Sequence, residues 1–387
     1  MPALFLISAL LHAYVGWRLL PDLPGPAAWA WAFGGMLAGS ALLIPRALLA
    51  RRRRTTGSAP LAAWAGLGAM GLFSSLFVLT LLRDAVLLLA AIIPSAVAAA
   101  ASASSWRPSL AHLSAAAVPL TAAVVTVLGF LNARRTAAVV PVAVPIRGLP
   151  PALHGFSVAQ ISDIHVGPTI GQGYLQRIVD KVNRLSPDLV AVTGDLVDGS
   201  VAQLGHHVAP LAELRARHGT FFVTGNHEYY SGAHAWIDAL RDLGLTVLMN
   251  EHVVLRHRRG GHEATLVLAG VTDFSAHHFD KDHRSDPQAA IAGAPADAGA
   301  RVLLAHQPRS APAAAAAGFD LQLSGHTHGG QFWPWNLFVR FQQPFTAGLH
   351  RLQDLWVYTS RGTGYWGPPK RFGAPSEITL LKLVPAS

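Results

Sequence analysis

Five short blocks of Asp, His and Asn residues in the second half of the chain most constrain its fold. Each block directly follows a short apolar run with the composition of a buried strand: 158–161, 189–192, 221–223, 302–304 and 321–323. In chain order the blocks are Asp163-Ile164-His165, Gly194-Asp195, Gly225-Asn226-His227-Glu228, Ala305-His306-Gln307 and Gly325-His326-Thr327-His328. Because strand ends in an α/β sheet meet at one edge, such side chains predict a metal site there.

The segments between and after these blocks predict an α/β domain. Residues 174–185 place apolar side chains at helical spacing, and residues 204–217 and 233–243 have the composition of further helices. Later runs are typical of strands, at 246–255, 265–269, 356–359 and 378–383. The alternation favours an α/β domain whose later strands are partly antiparallel.

The five blocks, together with the late sequence GYWGPPKRFG, resemble the calcineurin-like metallophosphoesterase superfamily. The pattern of that superfamily is DxH, GDxx(D/N), GNH(D/E), a separate His and GHxH, and no ligand position is substituted here. The chain is similar in particular to the membrane-associated bacterial phosphodiesterase branch named after the YkuE and YaeI proteins. The resemblance covers residues 150–385 and implies a two-sheet α/β/β/α sandwich, which we assign to residues 153–387.

The resemblance also implies a role for each block. Asp195 would bridge two divalent ions; the other ligands would be Asp163, His165 and His328 for the first ion and Asn226, His306 and His326 for the second. The mixture of donors favours Mn, Fe or Zn. Two ions about 3.5–4 Å apart share a hydroxide that attacks phosphorus. His227 would stabilise the transition state and protonate the leaving oxygen.

Several weaker features surround this pattern. Arg361 and Arg371 lie in late Gly-rich turns, and we predict that they bind a substrate phosphate or a lipid head group. Asp198 is either an outer partner of a ligand histidine or a solvated residue. The His-rich run 275–283 is a solvated loop, a substrate-facing loop or an accessory metal site. The aromatic stretch 332–345 is either a pocket wall or a contact with lipid head groups.

The first third of the chain has the composition of a membrane region. Five apolar stretches are each about 20 residues long, which is enough to cross a bilayer: 3–20, 27–49, 60–82, 85–104 and 109–131. We therefore predict a transmembrane region of about five helices at residues 1–135. We expect a Pro-rich linker at residues 136–152 that ends in a first edge strand.

The basic charge of the chain belongs to this membrane region. Residues 1–135 contain ten Arg against Asp22 and Asp84, with no Lys or Glu, so most of the net charge of +9 lies there. The near-neutral remainder argues against a nucleic-acid partner. The absence of Cys excludes disulfides and thiolate ligands.

The Arg51–Arg54 run, in a short loop, predicts a cytoplasmic position for that loop. Five crossings would then place the catalytic domain outside the cytoplasm of a bacterial plasma membrane, and four crossings would place it inside.

Together these features predict a membrane-anchored, dinuclear-metal hydrolase of phosphoric esters. Its substrate would be a small-molecule or lipid-linked phosphodiester or pyrophosphate. The alternative is a membrane protein that binds metal or a phosphorylated ligand without catalysis. The intact His227 favours the enzyme, because binding alone requires no proton donor. The physiological substrate and the oligomeric state do not follow from the sequence.

Overall fold

The protein consists of two compact units. A computed structural model describes residues 2–53, 59–97 and 106–386. The first unit comprises Met1–Leu131 with Gly367–Lys370, and the second comprises Asn132–Trp366 with Arg371–Ser387.

The first unit is helical. Its helices are α1 (Pro2–Leu19), α2 (Ala27–Arg53), α3 (Ala59–Val97) and α4 (Trp106–Arg134). Over the described residues, these four are long and apolar enough to cross a membrane. Most of their large apolar side chains are exposed, as is typical of helices surrounded by lipid.

The structure differs here from the predicted five spans, because residues 60–82 and 85–97 belong to the single helix α3. The Arg83-Asp84 pair, predicted to divide two spans, continues the helix because each charge has a partner near the end of α1. The Arg83 guanidinium lies 2.5 Å from the Asp22 carboxylate. The Arg18 guanidinium lies 2.9 Å from the Asp84 carboxylate. Residues 98–104 of the predicted fourth span, and Arg54 of the Arg run, lie outside the described residues.

The second unit contains two six-stranded sheets within the described residues. In spatial order, the first sheet consists of β1 (Ala138–Ile146), β12 (Glu377–Pro385), β2 (Ser157–Ile161), β3 (Leu189–Thr193), β4 (Thr220–Val223) and β5 (Thr246–Val247). The second sheet consists of β10 (Gly348–Leu352), β11 (Leu355–Thr359), β9 (Leu321–Ser324), β8 (Ala300–Leu304), β7 (His262–Gly270) and β6 (Glu251–Arg259). Strands β2 to β5 are parallel, as are β7, β8, β9 and β11.

Helices cover the outer faces of both sheets. They are α5 (Gln172–Asn183), α6 (Val201–Val208) and α8 (Ala233–Asp242) on the first sheet, and α9 (Pro287–Ile291) and α10 (Ala311–Ala316) on the second. Two further short helices, α7 (Asn226–Ser231) and α11 (Asn336–Val339), follow β4 and β9 in the chain. Successive side chains of a strand point to opposite faces. Val158 and Leu189 accordingly pack in the core between the sheets, whereas Ala159 and Val190 pack against the helices. The α/β/β/α sandwich expected from the sequence is confirmed.

Three boundaries differ from the sequence-based expectation. Most of the stretch assigned to a linker forms the edge strand β1, and Pro141 and Pro145 are tolerated there because an edge strand can lack ladder donors. The helix expected at 204–217 ends at Val208, because Pro210 begins a 3-10 turn. The strand expected at 246–255 is divided at Asn250, whose φ is 59°.

Candidate metal centre

The predicted ligand blocks converge at the carboxyl ends of parallel strands. The first three blocks follow β2, β3 and β4 of one sheet, and the last two follow β8 and β9 of the other. The side chains form two groups whose ligand atoms lie within 4.8 Å of one another: Asp163 with His165 and His328, and Asp195 with His306 and His326. The two sheets therefore contribute to one centre.

In the first group two imidazoles face each other. Nε2 of His165 lies 3.0 Å from Nε2 of His328, and the latter lies 3.4 Å from Oδ1 of Asp163. All three residues are buried. Two ring nitrogens and a carboxylate oxygen at this spacing form a compact N₂O donor set.

The second group has a similar composition. Nε2 of His306 lies 3.3 Å from Nδ1 of His326 and 3.3 Å from Oδ2 of Asp195. The side-chain oxygen of Asn226 is buried and has no hydrogen-bond partner in the described part of the chain. A buried acceptor without a donor is costly unless a cation or water satisfies it. This oxygen therefore supports a cation-binding role for Asn226.

Asp195 lies between the two groups. Its Oδ2 is 3.3 Å from Nε2 of His306 and 3.8 Å from Nε2 of His165, which belongs to the first group. One carboxylate oxygen thus faces a histidine of each group. This is the position that a bridging ligand requires.

The protonation pattern of the histidines fits cation binding. Nδ1 of His306 donates to the Thr193 carbonyl at 2.7 Å, which turns Nε2 toward Asp195. Burial lowers the pKa of His306, but the charges of Asp195 and Asp163 outweigh burial and raise it. A cation bound at Nε2 would replace that proton. Burial and the charge of His306 lower the pKa of His326 to about 3, so His326 is neutral at physiological pH. Carboxylates, an amide oxygen and neutral imidazoles suit Mn, Fe or Zn, and the residues present therefore fit a pair of divalent cations.

The backbone at the ligands is held in the left-handed region. Asp163, His165, Asp195, His326 and His328 all have φ between 51° and 68°. Non-glycine residues adopt this conformation at a cost of about 1–3 kcal/mol each, and such residues cluster at functional sites.

Close packing around the carboxylates explains the glycines of the motifs. A Cβ atom on Gly225 would lie 2.3 Å from Oδ1 of Asp195, and one on Gly325 would lie 2.2 Å from Oδ2 of Asp163. These two positions therefore require glycine.

His227 lies beside the centre and is oriented by Asp198. Its Nδ1 is 2.6 Å from Oδ1 of Asp198, while its Nε2 is 3.9 Å from Oδ2 of Asp195. Burial lowers the pKa of His227, but the charges of Asp195 and Asp198 and the hydrogen bond to Asp198 outweigh burial and raise it to about 9. The imidazole is therefore protonated at neutral pH when these carboxylates are ionised, as a proton donor must be.

Comparison with known proteins agrees with this geometry. The family model for calcineurin-like phosphoesterases matches residues 156–330. An uncharacterized metallophosphoesterase of Aquifex aeolicus is 32% identical over 228 residues, which cover 58% of this chain and 84% of that protein. This chain belongs to the calcineurin-like phosphoesterase family.

Two other relatives place this phosphoesterase domain among membrane and bacterial proteins. A transmembrane protein with metallophosphoesterase domain from Danio rerio is 40% identical over 270 residues, covering 68% of this chain. The chain spans 61% of the length of that relative. The uncharacterized metallophosphoesterase YkuE of Bacillus subtilis is 28% identical, covering 61% of this chain and 81% of YkuE.

The two arginines predicted to bind substrate have different surroundings in the phosphoesterase domain. Arg371 is fully buried, and its guanidinium donates to the carbonyls of Arg361, Gly364 and His328. These contacts hold the His328 loop in place. The position of Arg371 therefore differs from the substrate-facing position expected from the sequence. Arg361 is 37% exposed and pairs with Glu377 at 2.8 Å. Substrate binding by Arg361 stays a prediction.

Glu228 is the last residue of the third block, and its sequence position alone predicted no role for it. Its buried carboxylate accepts hydrogen bonds from the backbone N–H groups of Gly225, Asp195 and Leu196. Burial and the charge of Asp195 raise the pKa of Glu228 to about 7. The side chain ties the Asp195 loop to the start of α7, and its bond to the Gly225 N–H corresponds to the N3-to-N-cap half of a capping box.

The structure also shows which side chains of the aromatic stretch and of the His-rich run are exposed. In the aromatic stretch Phe332 is buried, whereas Trp335, Phe338 and Phe341 are 43%, 54% and 75% exposed. Part of the stretch therefore faces outward, and it is not simply a pocket wall. In the His-rich run, His277 and His278 are exposed, whereas His283 is half-buried.

Proposed function

We propose that this protein is a membrane-anchored hydrolase of phosphoric esters with a dinuclear metal centre. The observation that carries the proposal is the position of Asp195, one carboxylate oxygen of which faces His165 and His306 from separate ligand groups. A site for a single ion needs no such shared ligand. Asp163, His165 and His328 would hold one ion, and Asn226, His306 and His326 the other, with Asp195 between them.

Two divalent cations held there would supply Lewis-acid stabilisation of the phosphate oxygens and a water of lowered pKa. The chain supplies the remaining functions. His227 would donate a proton to the leaving oxygen, because the Asp198 carboxylate favours its protonated form and 14% of its side chain is accessible. Asp198 holds Nδ1 of His227, which directs Nε2 toward the centre.

The surroundings of His227 support an amphiphilic phosphodiester or pyrophosphate as the substrate class. The Trp366 ring, 45% exposed, lies 6.0 Å from the His227 ring. The exposed side chains of Trp335, Phe338 and Phe341 follow the His328 turn in the chain. Exposed aromatic groups of this kind suit the boundary between water and lipid. A lipid-linked phosphoric ester therefore fits better than a small hydrophilic nucleotide.

Four helices would place the phosphoesterase domain on the cytoplasmic side of a bacterial plasma membrane. An even number of crossings returns the chain to the side on which it began, so Arg134 and Arg135 would share a side with the Arg51–Arg54 run. Basic residues close to membrane helices favour the cytoplasm. The placement outside the cytoplasm depended on five crossings.

Hydrolysis of bis(p-nitrophenyl) phosphate by the full-length protein in detergent, with added Mn²⁺, tests the proposal. We expect metal-dependent release of nitrophenol that is lost after chelation and restored by Mn²⁺. A matched Asp195→Asn preparation controls for contaminating phosphatases. A protein that binds two Mn²⁺ ions per chain but hydrolyses neither this compound nor a lipid pyrophosphate would support the non-catalytic alternative.

A further inference from the structure

A second cluster of metal-ligand side chains lies away from the main centre. His234 near the start of α8 faces Asp280 and His283 from the His-rich run, and one ligand atom of each lies within 4.8 Å of the others. Nε2 of His234 is 2.9 Å from Oδ2 of Asp280, and Nε2 of His283 is 3.9 Å from the same oxygen. We propose that these three side chains form an accessory zinc site.

The spacing of the cluster suits a tetrahedral ion. Zinc binds imidazole nitrogen and carboxylate oxygen at about 2.0–2.2 Å, so two ligands of a tetrahedral ion lie about 3.3 Å apart. The separations of 2.9 and 3.9 Å lie on either side of that value. The 3.9 Å separation is too long for a hydrogen bond, so Nε2 of His283 faces Asp280 without bonding to it.

The outer contacts of the ligands favour the same interpretation. The hydroxyl of Tyr229 lies 2.9 Å from Nδ1 of His283, and a proton on Nδ1 donated to that hydroxyl leaves Nε2 free to bind a cation. Oδ1 of Asp280 accepts from the backbone N–H of Asp282, which leaves Oδ2 directed toward the two imidazoles.

An ion at this cluster would connect the His-rich run to neighbouring helices. His234 belongs to α8, and Tyr229 belongs to α7, the helix that begins with Asn226 and His227. Phe279, next to Asp280, packs on Tyr230 at 5.5 Å, and Tyr230 packs on His227 at 5.1 Å. An ion bound by His234, Asp280 and His283 would fix this loop against the helix that carries the proposed proton donor.

Zinc content of the full-length protein tests the proposal. We expect wild type, after equilibration with zinc and removal of loosely bound ions, to retain one equivalent more per chain than either His234→Ala or His283→Ala. His277→Ala removes an exposed histidine of the same loop and should match wild type. Because all four proteins keep the main centre, the difference isolates the accessory site. Equal zinc content in all four proteins, or an equal loss in the His277→Ala control, would overturn the proposal.

Proteolysis provides a second measurement that does not depend on metal analysis. Lys281 is exposed between Asp280 and His283. We expect zinc to slow cleavage after Lys281 by a lysine-specific protease several-fold in wild type and in His277→Ala, and to have no effect in His234→Ala. His234 is 73% exposed in its side chain, so its replacement leaves the fold intact. Zinc-independent cleavage in wild type would count against the site.

Discussion

Single residues around the centre have two proposed roles, binding cations and transferring a proton. Asp198 contacts Nδ1 of His165 at 3.3 Å and Nδ1 of His227 at 2.6 Å, so one carboxylate orients a ligand and the proposed proton donor. In the proposed arrangement His227 would not be a ligand of either cation. Loss of His227 should therefore affect turnover and leave metal binding unchanged.

His227→Asn should reduce kcat about 10²–10⁴-fold for an alkyl phosphodiester, the usual contribution of a positioned acid. The loss should be much smaller for a nitrophenyl ester, because nitrophenolate leaves without a proton. Parallel kinetics on both esters, with metal content measured on the same samples, check this expectation. An equal reduction of kcat for the two substrates would show that His227 is not the proton donor.

The turn from β4 to α7 has no room for a side chain at Gly225. Gly225 ends this turn, and a methyl group there would meet Oδ1 of Asp195 at 2.3 Å. Gly225→Ala should displace the Asp195 or Asn226 side chain and lower kcat at least about 10²-fold, since misplacement by about 1 Å has effects of that size. Metal content should also fall.

Gly173 is the matched control for this change. It lies in α5, and no atom approaches the Cβ position within 4 Å. Gly173→Ala should keep full activity and raise the free energy of unfolding by up to about 1 kcal/mol, because alanine favours a helix over glycine. Comparable activity in the two alanine variants would show that the β4–α7 turn tolerates a side chain.

Sequence patterns could predict some of these structural elements but not others. The strands before the five blocks were predictable because each is short, apolar and followed by ligand-type residues. The continuity of α3 was not, because the partner of Arg83 is Asp22, 61 residues earlier in the chain. Pairing of that kind depends on tertiary structure. The burial of Arg371 and the approach of His234 to the His-rich run were unpredictable for the same reason.

For the whole molecule, the number of helices determines the side of the membrane. In the proposed topology of four crossings with a cytoplasmic Arg51–Arg54 loop, the C-terminus would lie in the cytoplasm. In a bacterial host, a C-terminal green fluorescent protein fusion should then be fluorescent and a C-terminal alkaline phosphatase fusion inactive. Fusions after residue 22 should behave in the opposite way. An active phosphatase at the C-terminus would restore the five-span topology without affecting the metal chemistry.

Electron paramagnetic resonance of the Mn²⁺-loaded, full-length protein tests whether Asp195 holds two cations in one centre. Two Mn²⁺ ions bridged at about 3.5–4 Å interact magnetically, whereas isolated ions do not. We expect wild type to show the coupled signal together with phosphodiesterase activity. Asp195→Asn should show only isolated Mn²⁺ and a kcat below about a tenth of wild type, because a neutral amide does not hold two cations together. A coupled signal or near-normal turnover in Asp195→Asn would show that Asp195 does not bridge the two ions.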